Sequence, residues 1–409
     1  MELRRRVKLL GAKRNPEGRW TRMQDGQPTA KNPRIGFACA WKGSPERTWS
    51  GTPWGLRLAL GRQAEVVDLG VEYSAAQTVS KYLYTRRRHG RWGSTYQWSS
   101  SRDRMIERKL EAASKRMPVD AVIEVGDLGR LDAPFYCYKD LSFAVLEEHY
   151  DAVAGAPGFY NIDLDTIKRR RDRQHKLWES AAGVFVMSDW LAGVLVEHSG
   201  VPREKITVVY AGLNALEADP GGEEHVRPEE ARRPYRLLFV GRHFFRKGGD
   251  IVVRAFEQLR REHYPELGLT VAGPATWPLP GDVPEGVVFL GDRPTTEVAR
   301  LYREHDLLAM PSRFEAFGIA HREALANGVP VIGRSAFAMP EAIHPGKNGA
   351  LVGSDDPAEL AAAMVDVLEN PAVRRYTAAT AAEVRAHYSW DAVARRMLDA
   401  VRGRPARTP

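Results

Sequence analysis

Two stretches in the second half of the chain bring together residue types that suit a phosphate-bearing ligand. The first reads FVGRHFFRKGG, residues 239–249, in which Arg242 follows Gly241 and Lys247 precedes Gly248 and Gly249. A glycine admits a ligand close to the backbone, an arginine presents a planar fork of donors, and a lysine adds a compact charge. With a helix starting after Lys247, its first N–H groups join the same field, and the set suits a diphosphate. A loop with solvated cations is the plainer reading of the same residues. The second stretch reads PSRFEAFGIAHREAL, residues 311–325, with Glu315 and Glu323 on either side of Gly318. Carboxylates placed there can accept hydrogen bonds from ribose and sugar hydroxyls, yet each is also a favourable charge near a helix start. His321, between the two acids, reads as a packed helix histidine or as a cleft residue.

Both stretches follow apolar runs of strand length, RLLFV at 236–240 and LLAM at 307–310, and both lead into helical patterns near 249–263 and 318–327. The same alternation runs along the whole chain. Further strands are expected at 35–40, 65–69, 120–125, 134–138, 184–187, 206–210, 267–273, 287–291 and 329–333. Helices are expected near 54–61, 75–87, 101–115, from Asp140 onward, and at 162–181, 189–197 and 356–369. Short apolar strands alternating with helices predict parallel sheets covered on both faces. The stretch 215–234, rich in Pro, Gly and charge, has a linker's composition and splits the chain into two such halves. Open parallel sheets bind ligands beyond the carboxyl ends of their strands, so the junction of the halves is the expected cleft.

The composition is that of a globular protein: 409 residues, 43% hydrophobic and 27% charged, enough for two to three domains. No apolar run approaches the roughly 20 residues that span a bilayer, and the N-terminus lacks a signal peptide's apolar core. Cys39 and Cys137 are the only cysteines, both in apolar strands, which excludes a disulfide framework and predicts buried thiols. Histidines and acids show no metal-ligand spacing, and no metal is expected.

The net charge is +8, but residues 1–34 hold ten Lys/Arg and three Asp/Glu, which leaves +1 for the other 375 residues. Those 34 residues read as a mobile arm, solvated or resting on an anionic surface. Two more basic runs, KYLYTRRRHGR at 81–91 and KRRRDRQHK at 168–176, read as solvated helix faces or as a rim that attracts an anion or a membrane. No zinc-finger, RNA-binding or helix-turn-helix pattern accompanies them, so specific nucleic-acid binding is not expected.

The segments FVGRHFFRKGG and PSRFEAFGIAHREALANGVPVIG resemble the donor-site motifs of glycosyltransferase family 4, and the resemblance extends over roughly residues 35–405. It implies an α/β chain of the GT-B fold: two facing Rossmann-like domains, a deep interdomain cleft, and a C-terminal helix crossing back to the first domain. The divisions that follow are an arm at 1–34, an acceptor domain at 35–214, a linker at 215–234, a donor-binding domain at 235–385 and a crossover helix at 386–405. The segment SWDAVARRML resembles the family's closing helix, with Trp390 packed at the crossing.

The same resemblance implies a retaining transfer of a hexose from a nucleoside-diphosphate sugar to a hydroxyl acceptor, leaving an α-linkage and needing no cofactor or metal. Arg242 and Lys247 would hold the diphosphate, Glu315 would approach the donor sugar, and Glu323 would bind ribose hydroxyls. Gly241 and the backbone at Phe317, Gly318 and Ile319 would complete the donor site. In the first half, Trp49, Ser50, Gly51, Thr52 and Pro53 resemble the family's acceptor-side loop. Many family members end the strand at 134–138 with a histidine and an acid; here Lys139 and Asp140 stand in those places. Lys139 would then support phosphate charge, while Asp140 is equally a helix N-cap. Asp127, at another strand end, reads as a turn residue or a substrate contact. Ser188 or Asp189 is expected to cap the next helix.

A nucleotide-sugar epimerase, a glycan phosphorylase, and an inactive protein that binds nucleotide sugars or polyanions are the alternatives. Monomer and homodimer are both compatible with the sequence. The expected location is cytoplasmic, with the basic arm suited to the inner membrane face.

Overall fold

The computed structural model describes residues 12–14, 20–22, 33–41, 45–70, 82–88, 91–153, 162–216 and 234–403. Most of the arm 1–34 and of the linker 215–234 lies outside these residues. Within the arm, Ala12–Arg14 (β1) pairs antiparallel with Trp20–Arg22 (β2).

The first unit is a six-stranded sheet with helices around it. Its strands are Arg34–Cys39 (β3), Glu65–Asp68 (β4), Ala121–Val125 (β7), Phe135–Lys139 (β8), Gly183–Val186 (β9) and Ile206–Val208 (β10), after a hairpin of Thr85–Arg88 (β5) and Arg91–Ser94 (β6). The sheet order is β10-β9-β8-β7-β3-β4, and every pairing is parallel. Its helices are Thr52–Gln63 (α1), Ser100–Arg116 (α2), Phe143–Glu148 (α3), Tyr150–Val153 (α4), Leu164–Ser180 (α5) and Asp189–Glu197 (α6). All five residues of β7 are buried, as a strand covered on both faces requires.

The second unit repeats the plan. Arg236–Val240 (β11), Gly268–Ala272 (β12), Val287–Gly291 (β13), Leu307–Ala309 (β14), Val331–Arg334 (β15) and Gly349–Val352 (β16) form a parallel sheet in the order β13-β12-β11-β14-β15-β16. Gly249–Glu262 (α7), Thr295–Glu304 (α8), Ile319–Ala326 (α9), Pro357–Leu368 (α10) and Pro371–His387 (α11) cover it. α7 shows why: Ile251, Val252, Ala255, Phe256 and Leu259 recur at helical spacing and are all buried against the sheet. Truncating one such leucine to alanine typically costs about 2–5 kcal/mol.

The last helix, Trp390–Val401 (α12), leaves the second unit and packs on α1 of the first. Val393, Ala394, Met397 and Leu398 join Leu56, Leu60 and Phe37 in one buried cluster. The Trp390 indole lies against Gly55 and Gly212, where a Cβ would overlap it, and its Nε1–H donates to Asn214 Oδ1 at 2.8 Å.

Three expectations are corrected. The helix expected near 75–87 ends earlier than that: 82–83 are helical, 71–81 lie outside the described residues, and after a turn at Tyr84 the chain enters β5, which pairs with β6. The helix after β8 begins at Phe143 rather than near Asp140, and Ser142 caps it, its Oγ accepting from the Val145 N–H at 3.2 Å. The charged run 168–176 is no plain solvated face. Arg170 pairs with buried Asp103, Arg171 with Glu147, and Arg173 donates to the Asp127 carbonyl at 3.0 Å. Helix α8 and strand β16 have no counterpart in the sequence reading. Ser188 does cap α6, accepting from the Leu191 N–H at 3.1 Å, and both cysteines are buried thiols in no disulfide.

Candidate active site

Strand order fixes where the two motifs meet. From central β11 the chain moves outward to β12 and β13, then returns to β14 on β11's other side and moves outward again. The loops after β11 and β14 therefore diverge at the carboxyl edge, which leaves a crevice between them. The first motif is the loop after β11 and the second is the loop after β14.

Each loop enters its helix through a left-handed glycine, Gly248 (φ 78°) before α7 and Gly318 (φ 77°) before α9. Neither helix has a side-chain cap; at α7 the Gly249 N–H donates instead to the Phe244 carbonyl at 2.9 Å and the Ile251 N–H to the Gly248 carbonyl at 3.1 Å. At Gly318 glycine is required twice over: besides its positive φ, a Cβ there would lie 2.9 Å from His321 Nδ1.

Across the crevice the Lys247 ammonium pairs with Glu315 Oε2. Both side chains are largely buried, 14% and 11% exposed. Burial opposes the Glu315 charge, but Lys247 and Arg246 outweigh it and hold the carboxyl down at about 2. Burial also pulls the Lys247 ammonium below its ordinary value, and the Glu315 carboxylate is what keeps it charged. Arg246, beside Lys247, donates to the Phe314 carbonyl at 2.6 Å and so ties the two loops together. Gly241 lets the Lys247 stem pass, since a Cβ there would stand 3.0 Å from its Cγ. Arg242 lies apart from this pair: its Nε donates to Asp292 Oδ1 at 3.0 Å, and the side chain is 58% exposed.

Glu323, on the inner face of α9, is buried. Its Oε1 accepts from the Asn214 and Ala215 N–H groups at 3.1 and 2.8 Å, and its Oε2 from the Tyr302 hydroxyl at 3.2 Å. Burial raises its carboxyl above the ordinary value. His321 is fully buried; Nε2 stands 2.9 Å from the Met310 carbonyl, which assigns its proton there, and burial brings the imidazole down to about 4. It is the packed histidine of the two readings. Phe317 is buried with a ring contact to Tyr388, and Ile319 packs on the same cluster.

The first-unit candidates fall into two places. Lys139 and Asp127 meet each other: Nζ lies 2.7 Å from Oδ2, and both residues are buried. Gln174 donates to the same oxygen at 2.6 Å and Trp178 to Oδ1 at 3.2 Å. Burial opposes the Asp127 charge, but Lys139 and Gln174 hold its carboxyl below the ordinary range. The Lys139 charge is thus committed to Asp127. Asp140, next in the chain, is raised by burial and acted on by Lys139, Glu315 and Arg246. Ser50 and Gly51 end a tight turn, Pro45–Gly51, that leads into α1, where Thr52 is buried. A Cβ at Gly51 would meet Asn214 Nδ2 at 3.5 Å, so this loop reaches Glu323 through Asn214.

Sequence reasoning missed Arg246, Tyr302 and Asn214. Arg246 was visible as a second cation beside Lys247. Nothing local marks Tyr302 or Asn214, which only the packing of α8 and the crossing segment brings to Glu323. Among the described residues no three His, Cys, Asp or Glu side chains gather as a metal site.

Comparison with known proteins places this geometry. The family model described as "Glycosyl transferases group 1" matches residues 222–384. An uncharacterized glycosyltransferase of Methanocaldococcus jannaschii is 30% identical over 263 residues, 61% of this chain and 67% of that protein. The chain belongs to the group 1 glycosyl transferases. This glycosyl transferase is also 31% identical to the glycogen synthase of Mycobacterium tuberculosis over 257 residues, 58% of this chain and 62% of the relative. It spans about half to two thirds of the length of the curated relatives it matches. Sucrose-phosphate synthase from Thermosynechococcus elongatus superposes with a TM-score of 0.64 at 17% identity, covering 91% of this chain and 98% of that one. Anabaena HepE, solved with UDP and glucose, gives 0.59 at 16%, covering 90% and 99%. These likenesses show the fold: two Rossmann-like units of the GT-B type.

Proposed function

We propose that this protein is a retaining glycosyltransferase that moves a hexose from a nucleoside-diphosphate sugar to a hydroxyl acceptor to give an α-linkage. In this reading the unit at 235–385 takes the donor, the unit at 35–214 takes the acceptor, and no metal is needed. The observation that carries it is the buried Lys247–Glu315 pair beside the left-handed entrance to α9.

The chemistry follows from charge. When the bond between the anomeric carbon and the diphosphate breaks, the leaving oxygen gains negative charge and the sugar becomes cation-like. In this reading Lys247, Gly241 and the N–H groups near Phe317, Gly318 and Ile319 receive the first charge, and Arg242 joins them on leaving Asp292. The ionised Glu315 faces the second, and Glu323 takes the ribose hydroxyls. A positioned donor of this kind is worth on the order of 3 kcal/mol in the transition state, about a hundredfold in rate. Lys139 acts through Asp127 to fix the loop that carries Asp140 rather than on phosphate itself. The loop with Ser50, Gly51 and Thr52 closes the acceptor side. A cytoplasmic setting, with the basic chain resting on an anionic membrane face, completes the reading.

The test is a panel of nucleotide sugars scored by release of nucleoside diphosphate, without acceptor and then with pooled hydroxyl acceptors. Lys247→Ala is expected to lower kcat about a hundredfold, and Glu323→Ala to raise the donor KM. A folded protein that binds no nucleoside-diphosphate sugar refutes the proposal.

A further inference from the structure

Among the described residues the three most exposed large apolar side chains are Tyr82 (76%), Leu83 (70%) and Trp92 (70%), all on or beside the β5–β6 hairpin. This hairpin belongs to neither six-stranded sheet. A two-stranded hairpin is marginal in water on its own, and this one is anchored at its base. The Tyr84 hydroxyl lies 2.9 Å from Ser101 Oγ on α2, and the Tyr84 ring meets Tyr96 at 5.5 Å. Beside the anchor Tyr82 and Leu83 face water, and so does Trp92 farther along the hairpin, three large apolar side chains within eleven residues, where single exposed ones would need no explanation.

The charge around them is mostly positive. Residues 81–91 contain five Lys/Arg and no Asp/Glu, and the Arg86 and Arg87 side chains are exposed, Arg87 directly opposite Trp92. Ser101 also lines an open groove of about 750 Å³ along α2, whose lining includes Arg104, Arg108, Arg116, Met105 and Met117, with Asp68 as its one acid. Exposed rings and a leucine interleaved with arginines match the boundary of a bilayer. Trp and Tyr rings settle there at headgroup level, and arginines meet anionic headgroups. A polynucleotide would use the arginines but leave Leu83 and Tyr82 in water, so these exposed apolar side chains favour lipid.

We propose that the β5–β6 hairpin, with the basic face of α2 beside it, docks the first unit onto an anionic bilayer. This gives the membrane association of the preceding reading a place in the fold, and it stands whether or not sugar is transferred.

The experiment is co-sedimentation of the full chain with vesicles of phosphatidylcholine, alone or with about one third phosphatidylglycerol, at low and high salt. The parent is expected to bind the mixed vesicles, less so in high salt, and to leave pure phosphatidylcholine largely alone. Tyr82→Ser with Leu83→Ser and Trp92→Ser should weaken that partitioning at least tenfold, about 1.4 kcal/mol, at an unchanged melting temperature. Arg86→Glu with Arg87→Glu should weaken it comparably, and this pair decides the matter should the triple variant fold poorly. The proposal is overturned by a parent that ignores the mixed vesicles, by equal binding to both vesicle types, or by variants that sediment like the parent. Loss of duplex DNA binding in the arginine variant, with vesicle binding intact, also overturns it.

Discussion

The Glu341 carboxylate of the second unit accepts a hydrogen bond from the Trp190 N–H at the start of α6 in the first. Ser188 caps the same helix from within its own unit, so α6 is held by one acceptor from each. The other Glu341 oxygen lies 3.7 Å from an Arg322 guanidinium nitrogen, and Arg322 is fully buried over the Phe317 ring at 3.9 Å. Phe337, in a left-handed conformation (φ 56°), meets Trp190 at 5.5 Å and both His149 and Phe314 at 5.1 Å. Because Phe314 precedes Glu315, contact between the units bears directly on the candidate active site. Glu341→Ala is expected to cost roughly 1–2 kcal/mol, the worth of a helix cap, and to enlarge the radius of gyration in solution scattering. Glu341→Gln, which keeps an acceptor oxygen, should lose less. An unchanged radius for Glu341→Ala would show that the units stay together without this bond.

Removing one partner of the Lys247–Glu315 pair strands a buried charge. Lys247→Met should therefore destabilise by about 3–5 kcal/mol, and adding Glu315→Gln should recover much of that loss. Nucleoside-diphosphate affinity should stay low in the double variant, which separates the binding role from the stabilising one. Since the folded Glu315 carboxyl is depressed to about 2, the pair's stabilisation is present above pH 4.5 and fades as pH falls toward 2. Chemical denaturation of the four proteins of the cycle across that range measures it.

Glu124 has the opposite sign. It is fully buried in β7, accepts from Cys137 Sγ at 3.0 Å, and is pushed by burial up to about 8. A folded-state value above the unfolded one means its stabilisation is complete below about pH 4.5 and is lost as pH rises through 8. Glu124→Gln, neutral at every pH, should flatten that fall. Denaturant midpoints of parent and variant between pH 5 and 8.5 are the comparison; parallel curves would show that Glu124 does not titrate there.

Gly212 and Trp390 form the joint by which α12 returns to the first unit. Gly212→Ala places a methyl inside the indole and should cost about 1–3 kcal/mol by overpacking. Trp390→Leu in the same chain opens space for that methyl, so the double variant should be less destabilised than the two single effects added together. Thermal melts of the three variants test this; simple additivity would mean the indole does not bear on Gly212.

Most strands and helices were legible in the sequence because their signals are local. RLLFV, AVIEV and LLAM are runs that only a doubly covered strand buries, and Gly248 and Gly318 mark helix entrances by a backbone conformation that other residues rarely adopt. The helix expected at 75–87 was drawn too long at its C-terminal end, because a basic run has no apolar period to mark where helix gives way to strand. The two motifs were visible as chemistry, but their meeting was not: Lys247 and Glu315 are 68 residues apart and touch only because β11 and β14 are neighbours at the sheet's reversal. Likewise Lys139 and Asp127 could each be picked out, but not that each would neutralise the other, since desolvation and pairing are set by what lies opposite in space. Residue type and spacing determined the sheet architecture and which groups could do chemistry. Tertiary packing decided which charges remain for a ligand, because an ion's partner is fixed by distance through space and not by separation along the chain.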